Sequence, residues 1–197
     1  MVGSVMAKRK IRITMKQRST GLTQPYGVDA LLVQAVTLLK QDKPRRALRI
    51  LLKAKAKARH NALIYYNLGL AYEAIKQYRR ALNCYQKALL YDPTLADAAV
   101  CQGYILGLQG HIKLELARYD EVLRRDPTHA IALYNKAVTL NDDLDNVQAA
   151  IPLYLRVLKQ PLNRKQHRSV CVRLVYAYLD TGQYRKAAHI LRKLIQK

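Results

Sequence analysis

Apolar residues recur along this chain with the 3.6-residue period of amphipathic helices, in blocks that come in pairs. Tyr65, Leu68 and Tyr72 share one face of a first helix, Ala81, Tyr85 and Ala88 one face of a second, and the small Gly69 and Ala81 let the two backbones approach. The pattern repeats at a displacement of 34 residues, from Ala47, Leu51 and Ala54 to Ala81, Tyr85 and Ala88. The earlier copy has Leu31, Ala35 and Leu38 on its first helix and a break at Asp42-Lys43-Pro44. Pro44 falls in the opening turn of the next helix, where a missing N–H is harmless. A later copy carries Gly103, Gly110, Tyr119, Val122 and Asp126-Pro127, and a fourth has Leu133, Ala137, Leu140, Ala150, Tyr154 and Val157. The last has Leu174, Tyr178, Gly182, Tyr184, Ala187, Leu191 and Leu194. The expected hairpins are 28–61, 62–95, 96–129, 130–167 and 168–197, after a basic N-terminal tail over 1–27 without a fold of its own. One hairpin cannot bury its apolar face alone, so the five must stack.

Three departures from the period carry physical expectations. Glu115 stands where the pattern wants a small residue, so its carboxylate must reach the rim or find a partner. The fourth hairpin runs one residue late, placing an insertion in 141–146; Asp142-Asp143-x-Asp145-Asn146 lacks the Gly and distal Glu of an EF-hand loop and reads as a capping turn. Pro152 falls inside a helix, which predicts a short or kinked one. The basic stretch Lys159–His167, with Pro161, reads as a link.

Composition narrows the function classes. Formal net charge is +22, from 35 Lys and Arg against 13 Asp and Glu, which favours anionic partners. No run approaches the roughly 18 apolar residues of a membrane span, and Met1–Ala7 leads into Lys8-Arg9-Lys10 instead of a secretory apolar region. Ile11, Ile13 and Met15 alternate with Arg12, Thr14 and Lys16, unlike an amphipathic transit helix, so the expected location is cytoplasmic, with an organelle matrix as the alternative. Cys84, Cys101 and Cys171 have no metal-type spacing and read as packing residues. His60, His111, His129, His167 and His189 are scattered, and no Gly-rich phosphate loop is present, so no catalytic residue, metal or cofactor is expected.

The run Tyr65-x₂-Leu68-Gly69-x₂-Tyr72, Ala81-x₃-Tyr85-x₂-Ala88, Asp92-Pro93 resembles a complete tetratricopeptide repeat, with Tyr where that pattern prefers Trp and Phe. The resemblance implies an all-α, right-handed superhelical solenoid of antiparallel helix hairpins. It further implies that the first helix of each hairpin lines a concave groove and the second faces outward. On that mapping Leu63, Tyr66, Leu70, Val100, Tyr104, Ile131, Tyr134, Val138, Val172 and Tyr176 face the groove, with Asn67, Asn135 and Arg173 among them. Tyr combines contact area with a hydrogen-bonding tip, so a peptide segment or partner helix is the expected occupant. Asn135 and Arg173 resemble two positions of the carboxylate clamp in chaperone-binding members, but Val100, Tyr104 and Ser169 stand where that clamp needs Lys or Asn. In many such arrays a polar helix caps the end; here the last hairpin is expected to be covered by a partner or by continuation of the chain.

Outside the groove, Arg45, Arg49, Lys53 and Lys57 recur every four residues down one helix. Like charges at that spacing repel, so the stripe does not serve the helix itself. Arg79, Arg80 and Lys87, then Lys113 and Arg118, then Arg185, Lys186 and Lys193, extend it into a ridge across the array. The sequence reading is therefore a non-enzymatic adaptor or assembly factor, with a protein partner in the groove and an acidic protein or RNA on the ridge. The alternatives are an RNA- or ribosome-associated protein that binds phosphates, and a chaperone of secreted or pilus subunits.

Overall fold

The computed structural model describes residues 27–195, so all of the 1–27 tail except Gly27 lies outside the described residues. Within them are ten helices: α1 (Val28–Lys40), α2 (Pro44–Lys57), α3 (Ala62–Ala74), α4 (Tyr78–Tyr91), α5 (Ala96–Leu108), α6 (Ile112–Arg125), α7 (Ala130–Asp142), α8 (Val147–Leu158), α9 (Arg164–Asp180) and α10 (Tyr184–Ile195). Each packs on the next, and α1 touches α3 as α5 touches α7, the connectivity of a solenoid of helix hairpins. Apolar cores run through α1–α5 and α7–α10, with Ala99, Val100, Tyr119, Val122 and Ala132 joining them across the middle. No helix among the described residues is long and apolar enough to cross a membrane.

Small residues set the close approaches. Ala47, Ala81, Ala150 and Ala187 are buried at equivalent positions of four second helices. A Cβ on Gly69 would overlap the Tyr85 ring, and one on Gly103 would stand 2.8 Å from Tyr119 Cε1. The turn inside each hairpin requires one left-handed residue, and it recurs as Asp42, Lys76, Gly110, Asp145 and Gly182. The fourth of these is displaced by the inserted residue. There Asn146 caps α8 by accepting a hydrogen bond from Ala149 N at 3.2 Å.

Two departures have local causes. α9 starts inside the stretch read as a link, because Asn163 accepts from Gln166 N at 2.9 Å while Gln166 Oε1 accepts from Asn163 N at 3.0 Å. This reciprocal capping box starts the helix at Arg164. α8, with exposed Pro152 inside it, is 12 residues long against 14 for α2, α4 and α6.

Every aromatic of the Phe, Tyr and Trp class is a tyrosine, so each buried aromatic brings a hydroxyl to satisfy. Tyr85, Tyr119 and Tyr154 are fully buried at equivalent positions. Tyr85 donates to Glu73 Oε2 at 2.7 Å, a carboxylate from the first helix of its hairpin. Tyr119 donates to Glu115 Oε1, also at 2.7 Å, but this carboxylate comes from the second helix. In that hairpin the Glu73 position is Gly107, and a Cβ there would overlap the Glu115 carboxylate. Glu and a small residue have exchanged places across the hairpin while the acceptor for tyrosine is kept. This answers the expectation for Glu115: it is buried, and Tyr119 is a partner. In the first and last hairpins the corresponding pairs are Leu39 with Leu51 and Leu179 with Leu191, which need no acceptor.

Candidate binding surfaces

The first helices present a row of apolar and tyrosine side chains. Leu63 is 45% exposed, Val172 39% and Tyr176 62%, and Leu70, Tyr104, Ile131, Tyr134 and Val138 are half-buried. Tyr66, Asn67, Val100 and Asn135, expected in the groove, are instead buried. Tyr66 packs against Tyr85 at 6.1 Å between centroids, Val100 belongs to the central core, and Asn67 Nδ2 donates to Leu63 O at 2.7 Å within α3. Their neighbours enclose them, so they are packing residues in this structure. Burial raises the pKa of Tyr66, with Cys101, Asp97 and Glu73 adding to the shift, so its phenol stays neutral.

Polar atoms beneath this row lack partners. Tyr66 Oη, Asn67 Oδ1, Gln102 Oε1, Asn135 Oδ1, Asn141 Oδ1 and Tyr154 Oη are buried without a hydrogen bond among the described residues. Such atoms are uncommon in native interiors and mark places where an additional donor or acceptor would be stabilising.

Arg173 does not stand as a free cation. Its Nη1 lies 2.8 Å from Asp142 Oδ2 and 3.1 Å from Oδ1, tying α9 to α7. Burial works against its charge, but Tyr134, the Asp142 hydrogen bonds and Tyr154 outweigh it and raise its pKa. Burial likewise raises the pKa of Tyr154, against the opposing charge of Arg173. A second polar tie joins α5 to the start of α7: His129 Nδ1 accepts from Ala132 N at 3.3 Å, and Nε2 sits 3.3 Å from Asp97 Oδ1. A neutral imidazole with its proton on Nε2 serves both contacts.

The outward face is strongest at its N-terminal end. Between Lys43 and Tyr72 the chain has no acidic residue. Arg45, Arg49, Lys53, Lys57, Arg79, Arg80 and Lys87 are exposed, as are Arg185 and Lys186 on α10. The ridge does not run unbroken. On α6, Glu121 takes Arg118 at 3.0 Å and Arg125 at 3.7 Å, and Asp120 pairs with Lys136. On α8, Arg156 donates to Pro127 O at 2.6 Å, stapling one hairpin to the next. Acidic partners, not visible in a survey of cations alone, split the basic surface into two ends.

One cleft was not foreseen from the sequence. It measures about 530 Å³ and is lined by Leu52, Lys55, Ala56, Arg59, His60, Tyr65 and Tyr91. His60 and Tyr91 meet edge to face at 5.2 Å, and Tyr91 lies 5.4 Å from Tyr65. Lys55 and Lys87 sit 5.6 and 5.7 Å from the Tyr65 centroid. The residues come from three helices and a turn, and the available signal was the tyrosine ending α4 beside an acid-free helix.

Comparison with known proteins places this geometry. Tetratricopeptide repeat profiles match residues 62–95, 116–163 and 169–196. The human protein O-mannosyl-transferase TMTC3 is 26% identical over 177 residues, covering 88% of this chain and 19% of that protein. Superkiller protein 3 of Saccharomyces cerevisiae is 29% identical over 90 residues, 46% of this chain and 6% of its own length. The chain therefore spans a small part of these relatives. Among solved structures, Pseudomonas aeruginosa PilF superposes with a TM-score of 0.75 at 18% identity, over 86% of this chain and 75% of PilF. MamA of Desulfovibrio magneticus gives 0.66 at 19%, over 86% and 93%. YrrB, described as having an unusual peptide-binding site, gives 0.57 at 20%, over 88% and 87%.

Proposed function

Since the chain belongs to the tetratricopeptide repeat family, a family of protein-interaction scaffolds, we propose that it is a non-enzymatic cytoplasmic adaptor whose first-helix face takes an apolar segment of a protein partner. The observation that carries this reading is the set of first-helix side chains Leu63, Val172 and Tyr176, which are exposed, and Leu70, Tyr104, Ile131, Tyr134 and Val138, which are half-buried. An occupant would cover the apolar side chains. YrrB, with the same fold, lends support through the peptide-binding site ascribed to it. A clamp for a terminal carboxylate is disfavoured, because Asp142 neutralises Arg173 and Asn135 is buried. The test is recovery of partners by Tyr104→Ala/Tyr134→Ala/Tyr176→Ala after nuclease treatment.

A second reading is favoured by the exposed cations of α2. Among the described residues, Arg45, Arg46, Arg49 and Lys53 have no carboxylate partner. In this reading the outward face binds phosphates of RNA in a sequence-tolerant, salt-sensitive manner. The likeness to PilF, at 18% identity, extends to the fold alone and does not bear on the chaperone reading.

A further inference from the structure

We propose that the cleft between the C-terminal halves of α2 and α4 is an anchoring site for single-stranded nucleic acid, holding a base against Tyr91 and His60 and a neighbouring phosphate on Lys55, Arg59 and Lys87. The proposal rests on the phosphate-binding reading of the outward face and gives it a location.

Charge comes first. Lys55 and Lys87 are each within 6 Å of the same ring centroid, so the two ammonium groups are necessarily within twice that distance of each other. Arg59 and His60 line the same cleft, and no Asp or Glu does. The nearest acid along the chain, Asp92, already accepts at Oδ1 from Thr94 N at 2.9 Å and Thr94 Oγ1 at 2.6 Å. Glu73 accepts from Tyr85. Cys84 adds no negative charge either, since burial raises its thiol pKa against the opposing pull of Lys55 and Lys87. The Tyr65 ring attracts each ammonium group weakly, but a tyrosine face does not neutralise a group of cations. An anion is the missing component.

The rings define what kind of anion. An acidic peptide would use the cations and leave the His60–Tyr91 pair without a role. A nucleotide uses both, since a base stacks on an aromatic side chain while its phosphate meets Lys or Arg. Tyr91 is half-buried and His60 exposed, so the pair keeps access to solvent while Tyr65 packs against it. A strand fits better than a free nucleotide because the cations continue. Arg45, Arg49 and Lys53 lead away along α2 for about 12 Å at 1.5 Å per residue, with no acid among them. Successive phosphates would find successive partners.

The test is fluorescence anisotropy of a labelled 12-residue uridine oligonucleotide with the full chain, at low and raised salt. The expected result is binding at low salt that weakens steeply as salt rises. Tyr91→Ala should raise Kd between about five- and a hundredfold, and Tyr91→Phe should leave it unchanged, as expected for one stacked base. Lys55→Gln/Lys87→Gln should lower the salt slope, whereas Lys113→Gln/Arg118→Gln, the same charge change on α6, should do so less. His60→Ala gives a second, exposed probe of stacking should Tyr91→Ala fail to fold. Absence of oligonucleotide binding at low salt overturns both the cleft and the phosphate-binding reading. Binding that survives in the Tyr91, His60 and Lys55/Lys87 variants, yet falls in Arg45→Gln/Arg49→Gln/Lys53→Gln, overturns the cleft and leaves that reading standing. Equal affinity for polyglutamate of the same length overturns the assignment to nucleic acid, and equal affinity for UMP overturns the assignment to a strand.

Discussion

At the residue scale, the exchange of Glu115 and Gly107 for Ala81 and Glu73 states a local rule for two of the hairpins: the buried tyrosine bonds one carboxylate, and either helix can supply it, whereas Tyr154 at the equivalent position of the next hairpin has no carboxylate partner among the described residues. The rule predicts non-additivity. Glu115→Ala removes the carboxylate that accepts from the Tyr119 hydroxyl and should cost about 1–3 kcal/mol, while Gly107→Glu places two carboxylates in one space and should cost more. Together they recreate the arrangement of the preceding hairpin. Denaturant unfolding of the double variant should recover most of the loss, with a coupling energy of at least about 1 kcal/mol; simple additivity would show the exchange to be incidental. The loop acids follow their own rule. The Thr128 hydroxyl holds the Asp126 pKa below its ordinary value against the opposing effect of burial, with the Thr128 backbone N–H and His129 adding to the lowering. A depressed carboxylate pKa contributes stability above the ordinary Asp value of about 3.9, and this contribution is lost as pH falls through the lower folded value. NMR titration should show the Asp126 pKa rising toward that value in Thr128→Ala, and no movement would separate the two residues.

At the element scale, most of the architecture was legible in advance because packing constraints leave marks on sequence. The buried alanines and tyrosines recur in register, and Pro44 opens α2 as its chemistry requires. Two things were not legible. The start of α9 depended on the reciprocal bonds of Asn163 and Gln166, which override the basic composition around them. The residues expected in the groove are of two kinds, since Tyr66 and Tyr134 are alike in type and, two periods apart, equivalent in register, yet Tyr66 is buried and Tyr134 half-buried. Equivalent positions share a direction but not a set of neighbours. α8 supplies a test of element energetics. Pro152 is exposed and withholds an interior N–H from the helix ladder, so Pro152→Ala should stabilise the protein by about 1–3 kcal/mol, read as a raised unfolding midpoint. A neutral or lower midpoint would mean that the short helix is already relaxed around the proline.

At the scale of the molecule, the two kinds of helix differ in the side chains they carry. First helices carry exposed and half-buried apolar side chains and tyrosines, and second helices carry cations that are most numerous on α2, continue on α4 and α10, and are neutralised in part on α6. At the far end, α10 keeps only Ala187 buried and leaves Ile195 83% exposed. Partner specificity was the part least legible in sequence, because it depends on which side chains the stacked neighbours leave open. The central claim is that the open row on the first helices, and not the basic face, holds a protein partner. The most direct measurement is photo-crosslinking from position 104 or 176, compared with position 79 on the outward face, after nuclease digestion. The account predicts discrete protein adducts from 104 and 176, lost in Tyr134→Ala, and none from 79. Adducts that form equally from 79, or that disappear with nuclease at all three positions, would contradict it.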